Sequence, residues 1–136
     1  MYFEDFQKGD SFPVVRDSEI TRVQLVKYAG ASGDFNPLHT VEEVGEQAGT
    51  GVIAHGMLIM GIASKAVTSW IPRKNIKKYN VRFRKMTLPG EVIEVVGKVI
   101  EMKKEDNILI GEVQARNLEG EVKVAGTFEA VLPTKQ

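Results

Sequence analysis

Asp34 and His39 stand five positions apart in the stretch G-D-F-N-P-L-H, and His55 follows in A-H-G-M-L; these are the chain's two histidines. A neutral imidazole, with an unperturbed pKa of about 6.5, is suited to take a proton from water near neutral pH. A carboxylate held beside it orients the same water and exchanges a further proton, which is the equipment of general acid–base chemistry. Pro37 locks one dihedral of the intervening bend and would keep the spacing of the two groups fixed. The composition of G-D-F-N-P equally suits a turn with no chemistry, because Gly, Asp, Asn and Pro each serve turns for backbone reasons. Taken alone, the residues leave both readings open, with the turn the commoner outcome. Asn36 reads as structural under either, bridging the bend through its side-chain amide. His55 precedes an apolar segment, where a buried ring commonly does no more than satisfy a carbonyl; a part in the chemistry is the alternative.

The 136 residues carry 18 basic and 18 acidic side chains, a formal charge of zero that argues against a nucleic-acid-binding face. Cysteine is absent from the sequence, which removes disulfide frameworks and thiolate chemistry. A catalytic zinc takes about three protein ligands, and a pair of histidines without cysteine supplies them poorly. No metal and no redox cofactor are expected. The N-terminus, M-Y-F-E-D-F-Q-K-G-D, lacks a basic region leading into an apolar run, so no signal peptide is expected. The stretch V-I-A-H-G-M-L-I-M-G-I-A-S-K-A-V carries a His and a Lys, and it is shorter than the roughly 20 apolar residues of a membrane span. G-T-G at residues 49 to 51 lacks the context of a nucleotide-binding loop. The expectation is a cytoplasmic single domain over residues 1–136, with no nucleic-acid or membrane partner.

Periodicity outlines the elements that must hold these groups. V-V-R-D-S-E-I, residues 14–20, reads as an edge strand. Thr21 is placed to cap a helix through T-R-V-Q-L-V-K-Y-A-G, with Val23, Val26 and Gly30 on one face and Gly33 at its end. Asn36 precedes proline and is pushed out of the helical region, so D-F-N-P is a bent, extended segment. Thr40 and Glu43 form a capping-box pair for a short helix that stops near Gly49. A longer helix runs from His55 or Gly56 to Trp70, limited by Pro72; apolar residues lie nearly all round it, which marks a buried helix. Beyond it, Y-N-V-R-F-R-K-M, V-I-E-V-V-G-K-V-I-E-M, I-L-I-G-E-V-Q-A-R and V-K-V-A-G-T-F-E-A-V-L alternate as strands do. L-P-G-E, K-K-E-D-N and N-L-E-G-E between them are rich in turn formers. Consecutive strands so joined should be antiparallel, and with the N-terminal strand they make about five round one helix, an α+β fold.

Y-A-G-A-S-G-D-F-N-P-L-H, A-H-G-M-L-I-M-G, Y-N-V-R-F and L-P-G-E, with the opening F-E-D-F-Q-K-G-D, stand in an order and spacing that resembles MaoC-like dehydratases, the (R)-specific enoyl-CoA hydratases. The resemblance covers nearly the whole chain. A-H-G-M-L-I-M-G with V-T-S-W and Y-N-V-R-F resembles most closely the catalytic subunit of mycobacterial heterodimeric 3-hydroxyacyl-carrier-protein dehydratase. It implies the hot-dog fold, a curved antiparallel sheet wrapped round a long central helix. It also implies hydration of a trans-2-enoyl thioester to the (R)-3-hydroxyacyl thioester, or the reverse dehydration. Asp34 and His39 would then act on water, and the Gly56 amide would hold the enolate oxygen. A helix start offers free N–H donors there, and glycine permits close approach.

Asn36, His55 and Met57 fall beside these as substrate-binding candidates. Met57 and Met60 read as core or acyl-tunnel lining, where a thioether fills irregular gaps. Lys77, Lys78, Arg82 and Arg84 either meet the phosphates of coenzyme A or a carrier-protein arm, or are solvated charges of a strand face. The implied partners are an enoyl-CoA or acyl-carrier-protein thioester and a second subunit, as a homodimer, a larger homo-oligomer or a heterodimer with another hot-dog chain. Two positions depart from the family pattern: Val41, where many members carry Asp, and Gly61, where some hydratases carry Ser, with Ser64 one turn further on. Two rival activities stay open. One is an acyl-CoA thioesterase on the same fold, disfavoured because no Asp or Glu lies between Gly56 and Trp70. The other is an acyl-thioester-binding subunit that needs a partner chain.

Overall fold

The computed structural model describes residues 1–135. In chain order the elements are β1 (Val15–Glu19), α1 (Arg22–Ser32), α2 (Glu42–Gln47), α3 (Gly56–Trp70), β2 (Ile76–Phe83), β3 (Val92–Lys103), β4 (Ile108–Arg116) and β5 (Val122–Val131). Single 3-10 turns lie at Phe3–Asp5, Pro37–His39 and Arg73–Asn75. The strands make one five-stranded antiparallel sheet in the order β1-β3-β4-β5-β2, and α3 packs across β3, β4 and β5. This is the α+β hot-dog architecture the sequence led us to expect, with β1 on an edge.

The strand order follows from connection lengths. Asn107, at φ 55, and Gly120, at φ 88, turn the short β3–β4 and β4–β5 connections, so those strands pair as hairpins. β2 skips its sequence neighbour and pairs with β5, Val81 lying opposite Gly126. Residues 84–91 must therefore cross the sheet end from β2 to β3, a span of about 14 Å at the usual strand spacing, well within their extended reach.

α3 buries Ile59, Ile62, Ala63, Ala66, Val67 and Trp70, in one cluster with Ile93, Val95, Leu109, Val113 and Phe128 of the sheet. Trp70 stacks on Phe12 with ring centroids 4.8 Å apart and donates its indole N–H to the Pro13 carbonyl at 2.8 Å. The tail of the helix is thereby fixed by packing and by a hydrogen bond. Burial all round α3 is not observed. Met57, Gly61, Lys65 and Thr68 recur at helical spacing and are exposed, since the sheet of this chain covers only one side.

Two further expectations are corrected. Thr21 does cap α1, its Oγ1 accepting the Gln24 N–H at 3.1 Å. The buried face, however, is Leu25 and Ala29, while Val23 and Val26 are exposed; residues four apart share a face, and this pair, not the valines, meets the core. Thr40 forms no capping box. It closes the Pro37–His39 turn instead, so α2 starts one residue later behind Val41, without a side-chain cap. Among the described residues, no helix is long and apolar enough to cross a membrane.

Candidate active site

Gly33 ends α1 at φ 77, a left-handed conformation that costs a residue with a side chain. A run of short polar turns follows. The Asp34 N–H donates to Ser32 Oγ at 3.1 Å, Asp34 Oδ1 accepts the Asn36 N–H at 3.2 Å, and Asn36 Oδ1 accepts the Leu38 N–H at 3.0 Å. Asn36 thus spends its side-chain oxygen on the backbone of the bend. The Pro37–His39 turn then brings His39 into the interior. Its Nδ1–H donates to the Ile53 carbonyl at 2.8 Å, which leaves the lone pair on Nε2. That Nε2 lies 3.7 Å from Asp34 Oδ2. The gap is too long for a direct hydrogen bond and suits one oxygen atom touching both groups.

His55 lies against His39, with ring centroids 3.8 Å apart and planes at 21°, and Tyr28 meets it edge-on at 4.8 Å. It is almost wholly buried, and its Nε2–H donates to the backbone carbonyl of Asp34 at 3.2 Å. Burial holds its pKa below the usual 6.5, outweighing the Asp34 carbonyl, which favours the charged ring; His39 pushes the same way as burial. His55 is therefore a neutral ring at pH 7, bound to one member of the pair and stacked on the other. Asp34, His39 and His55 each offer an atom within 4.8 Å of one another. The two rings are stacked with centroids 3.8 Å apart, so their in-plane lone pairs lie in separate, nearly parallel planes and do not meet at one ion. The trio suits proton transfer better than metal ligation.

Gly56 opens α3 directly behind His55. The amides of Leu58 and Ile59 return to the His55 carbonyl at 3.1 and 3.4 Å, whereas those of Gly56 and Met57 meet no acceptor among the described residues. A Cβ on Gly56 would stand 3.2 Å from the Phe83 ring, tighter than ordinary contact. A cavity of about 270 Å³ is lined by His39, Gly56, Ile59, Phe83, Thr87 and Val124, among others. The imidazole and the helix start thus open on one space, its wall largely apolar. Asp34, Asn36, His55 and Met57 do not line it, and Met57 is exposed. The Asp34 carboxylate is half-exposed beside His39.

Ser64, one turn beyond Gly61, donates its Oγ–H to the Gly61 carbonyl within α3 and does not line the cavity. Val41 sits at the N-cap of α2 and offers no side-chain cap. Lys77, Lys78 and Arg82 are exposed on β2, while Arg84 lines the cavity.

Sequence reasoning passed over four contributors: the Ile53 carbonyl, Phe83, Thr87 and Lys123. Lys123 is 2% exposed. Its Nζ reaches Glu121 at 2.5 Å, Glu91 at 3.0 Å and the Met86 carbonyl at 2.8 Å, which ties β5 to the crossing segment that walls the cavity. Burial alone would lower its pKa, but Glu121 and Glu91 outweigh that and hold it above the ordinary value.

A five-stranded antiparallel sheet packed on one central helix defines an α+β hot-dog protein. The MaoC like domain family matches residues 5–121, and the chain belongs to that family. It is 29% identical over 105 residues to the 3-hydroxybutyryl-CoA dehydratase of Methylorubrum extorquens, covering 75% of this chain and 66% of that protein. It is 40% identical over 75 residues to the probable enoyl-CoA hydratase 2 of Dictyostelium discoideum, covering 52% of this chain and 26% of the relative. The chain thus spans about a quarter and about two thirds of the lengths of these relatives. Among solved structures it is similar to unliganded R-hydratase PhaJ1 from Pseudomonas aeruginosa, with a TM-score of 0.84 and 25% identity, covering 98% of this chain and 86% of that one.

Proposed function

We propose that the chain is a hydro-lyase that adds water to trans-2-enoyl thioesters of coenzyme A or acyl carrier protein, giving (R)-3-hydroxyacyl thioesters, and that it runs the reverse dehydration with the same groups. The observation that carries this reading is the 3.7 Å gap between Asp34 Oδ2 and His39 Nε2, beside a cavity that His39 shares with Gly56. The Ile53 carbonyl fixes the His39 tautomer, so Nε2 is free to take a proton from a water held between the pair. The oxygen of that water bonds to C3, the C2=C3 π electrons shift to make the enolate, and the Asp34–His39 pair returns one proton to C2. The Gly56 amide, with Met57 next to it, is the donor for the enolate oxygen. His55 and Asn36 hold the pair in place.

The names of the relatives from Methylorubrum and Dictyostelium point to the same reaction class.

The assembly proposed is a dimer through the β2 edge, homodimeric or with a second hot-dog chain as in the mycobacterial dehydratases the sequence resembles. Phe83, Phe35, Val41 and Met57 are exposed near the site, an apolar surface of the kind a partner covers. The whole reading is tested by incubating the purified protein with crotonyl-CoA and following enoyl absorbance. Hydration to the (R)-alcohol is expected. An inert protein, or release of free thiol without the alcohol, sinks the proposal, and the second result would turn it toward a thioesterase.

A further inference from the structure

One face of β2 runs along α3. Alternate residues of a strand share a face, and Tyr79, Val81 and Phe83 make up this row. Tyr79 and Val81 pack on the core cluster, and the Tyr79 hydroxyl donates to the Met60 carbonyl of α3 at 3.1 Å. Phe83 closes the row where the helix begins, its ring atoms 3.2–3.5 Å from the place a Cβ on Gly56 would take. Across the sheet Phe83 pairs with Val124, which is buried and lines the same cavity. Unlike its two neighbours in the row, Phe83 is 54% exposed, and it lines the cavity together with His39 and Gly56. The ring therefore borders both that space and the glycine whose amide meets no acceptor among the described residues. An aromatic ring left half uncovered beside a free donor has apolar surface to give to whatever the donor holds.

We infer that Phe83 is a substrate-contacting residue, its ring packing against the acyl thioester group whose oxygen the Gly56 amide holds. The inference rests on the acyl-thioester reading above and deepens it. The amide fixes one oxygen, and the ring supplies an apolar surface for the carbons beside that oxygen. A 2-enoyl thioester is flat and conjugated from C3 to its carbonyl, a shape that lies well on an aromatic face.

The test compares the full-length wild type with Phe83→Ala and Phe83→Leu by calorimetric titration with butyryl-CoA and with free coenzyme A, alongside thermal melting and native mass. The saturated butyryl chain keeps the ligand from being turned over. Covering the exposed half of the ring is worth about three- to tenfold in affinity, and Phe83→Ala should lose that much for butyryl-CoA. Phe83→Leu should recover most of the loss. Free coenzyme A, which has no acyl group, should bind wild type and Phe83→Ala alike. Unchanged affinity for butyryl-CoA in Phe83→Ala overturns the inference. So does an equal loss with free coenzyme A, since the ring then meets the carrier arm. A loss that comes with a changed native mass or a lowered Tm also overturns it, since that is an interface or packing role. A wild type that does not bind butyryl-CoA defeats it together with the acyl-thioester reading. A wild type that binds butyryl-CoA but leaves crotonyl-CoA untouched defeats the hydratase reading alone.

Discussion

Replacing Asp34 by Asn separates chemistry from architecture at the centre of the site. Asp34 does two jobs through different oxygens: Oδ1 accepts the Asn36 N–H, while Oδ2 faces His39 Nε2 at 3.7 Å. An asparagine keeps an oxygen for the first job and loses the charge needed for the second. The carboxylate is 52% exposed. Its electrostatic contribution to stability is therefore in the surface range, about 0–1 kcal/mol. For a domain of this size that shifts Tm by no more than about 4 °C. Removing a positioned acid or base costs about 10²–10⁴ in rate, which corresponds to about 3–5 kcal/mol of transition-state stabilisation. The two readouts should therefore part company. Circular dichroism should give a near-native melt for Asp34→Asn, while crotonyl-CoA hydration falls by at least about a hundredfold in kcat. If kcat stays within a few-fold of wild type in a folded Asp34→Asn protein, the carboxylate is a turn residue and the mechanism is wrong.

Two other perturbations probe the groups that support the pair. The depressed pKa of His55 means that the unfolded chain takes up a proton first as pH falls, so stability should decline below the unfolded value of 6.5. His55→Phe keeps a ring on His39 but not the bond to the Asp34 carbonyl. Its Tm should be flatter between pH 5.5 and 7.5 and its kcat lower, and an unaltered slope would discount the buried neutral ring. Lys123→Met should destabilise by about 1–3 kcal/mol in a denaturant titration, for the lost bonds to Met86, Glu91 and Glu121. Glu91 is held below its usual pKa because the bonds from Asn117, Leu88 and Lys123 outweigh burial, and Glu121 because Lys123 and Lys85 bond to it. Their contribution is present above the ordinary value of 4.5 and is lost as pH falls through the lower folded values, so acid should weaken Lys123→Met less steeply than wild type.

Most of the frame was legible because the chain writes it locally. Thr21 and Gly33 bound α1, Pro72 limits α3, and alternation marks β3 to β5. The histidine and carboxylate were legible too, since Pro37 sets their spacing and the surrounding motif sets their context. What escaped depends on pairings distant in sequence. Alternation in V-K-V-A would turn Lys123 outward if Val124 faces the core. In the sheet Arg116 pairs with Val122 and Ala115 with Val124, so Lys123 is the extra residue of a bulge and turns inward. No local pattern announces that register shift. Thr87 escaped for a similar reason, because a threonine ahead of L-P-G reads as turn chemistry until Ala54 is placed beside it. Val23 and Val26 misled in the opposite sense. Their spacing is helical, but only the neighbouring elements decide which helical face is covered.

The site owes its shape to the strand order as much as to its motif. Had β2 paired with β3 as a hairpin, a turn of a few residues would have joined them and no segment would run along the sheet end. Because β2 pairs with β5 instead, residues 84–91 must travel past two strands, and the start of that path supplies Arg84, Lys85, Met86 and Thr87 to the cavity wall. Residues 53–54 then act as a rail between this wall and the Asp34–His39 loop, bonding Thr87 on one side and His39 on the other before the chain turns into α3. His39 is thus fixed to that short extended piece, Gly56 opens the helix that follows it, and the Asp34 backbone carbonyl is held by the His55 ring between them. A loop-borne pair gains the rigidity chemistry requires by being fastened to buried backbone, and Lys123 extends the fastening by holding the Met86 carbonyl from β5. On this account the motif supplies the reactive groups, and the crossing that the sheet topology demands supplies the pocket in which they meet substrate.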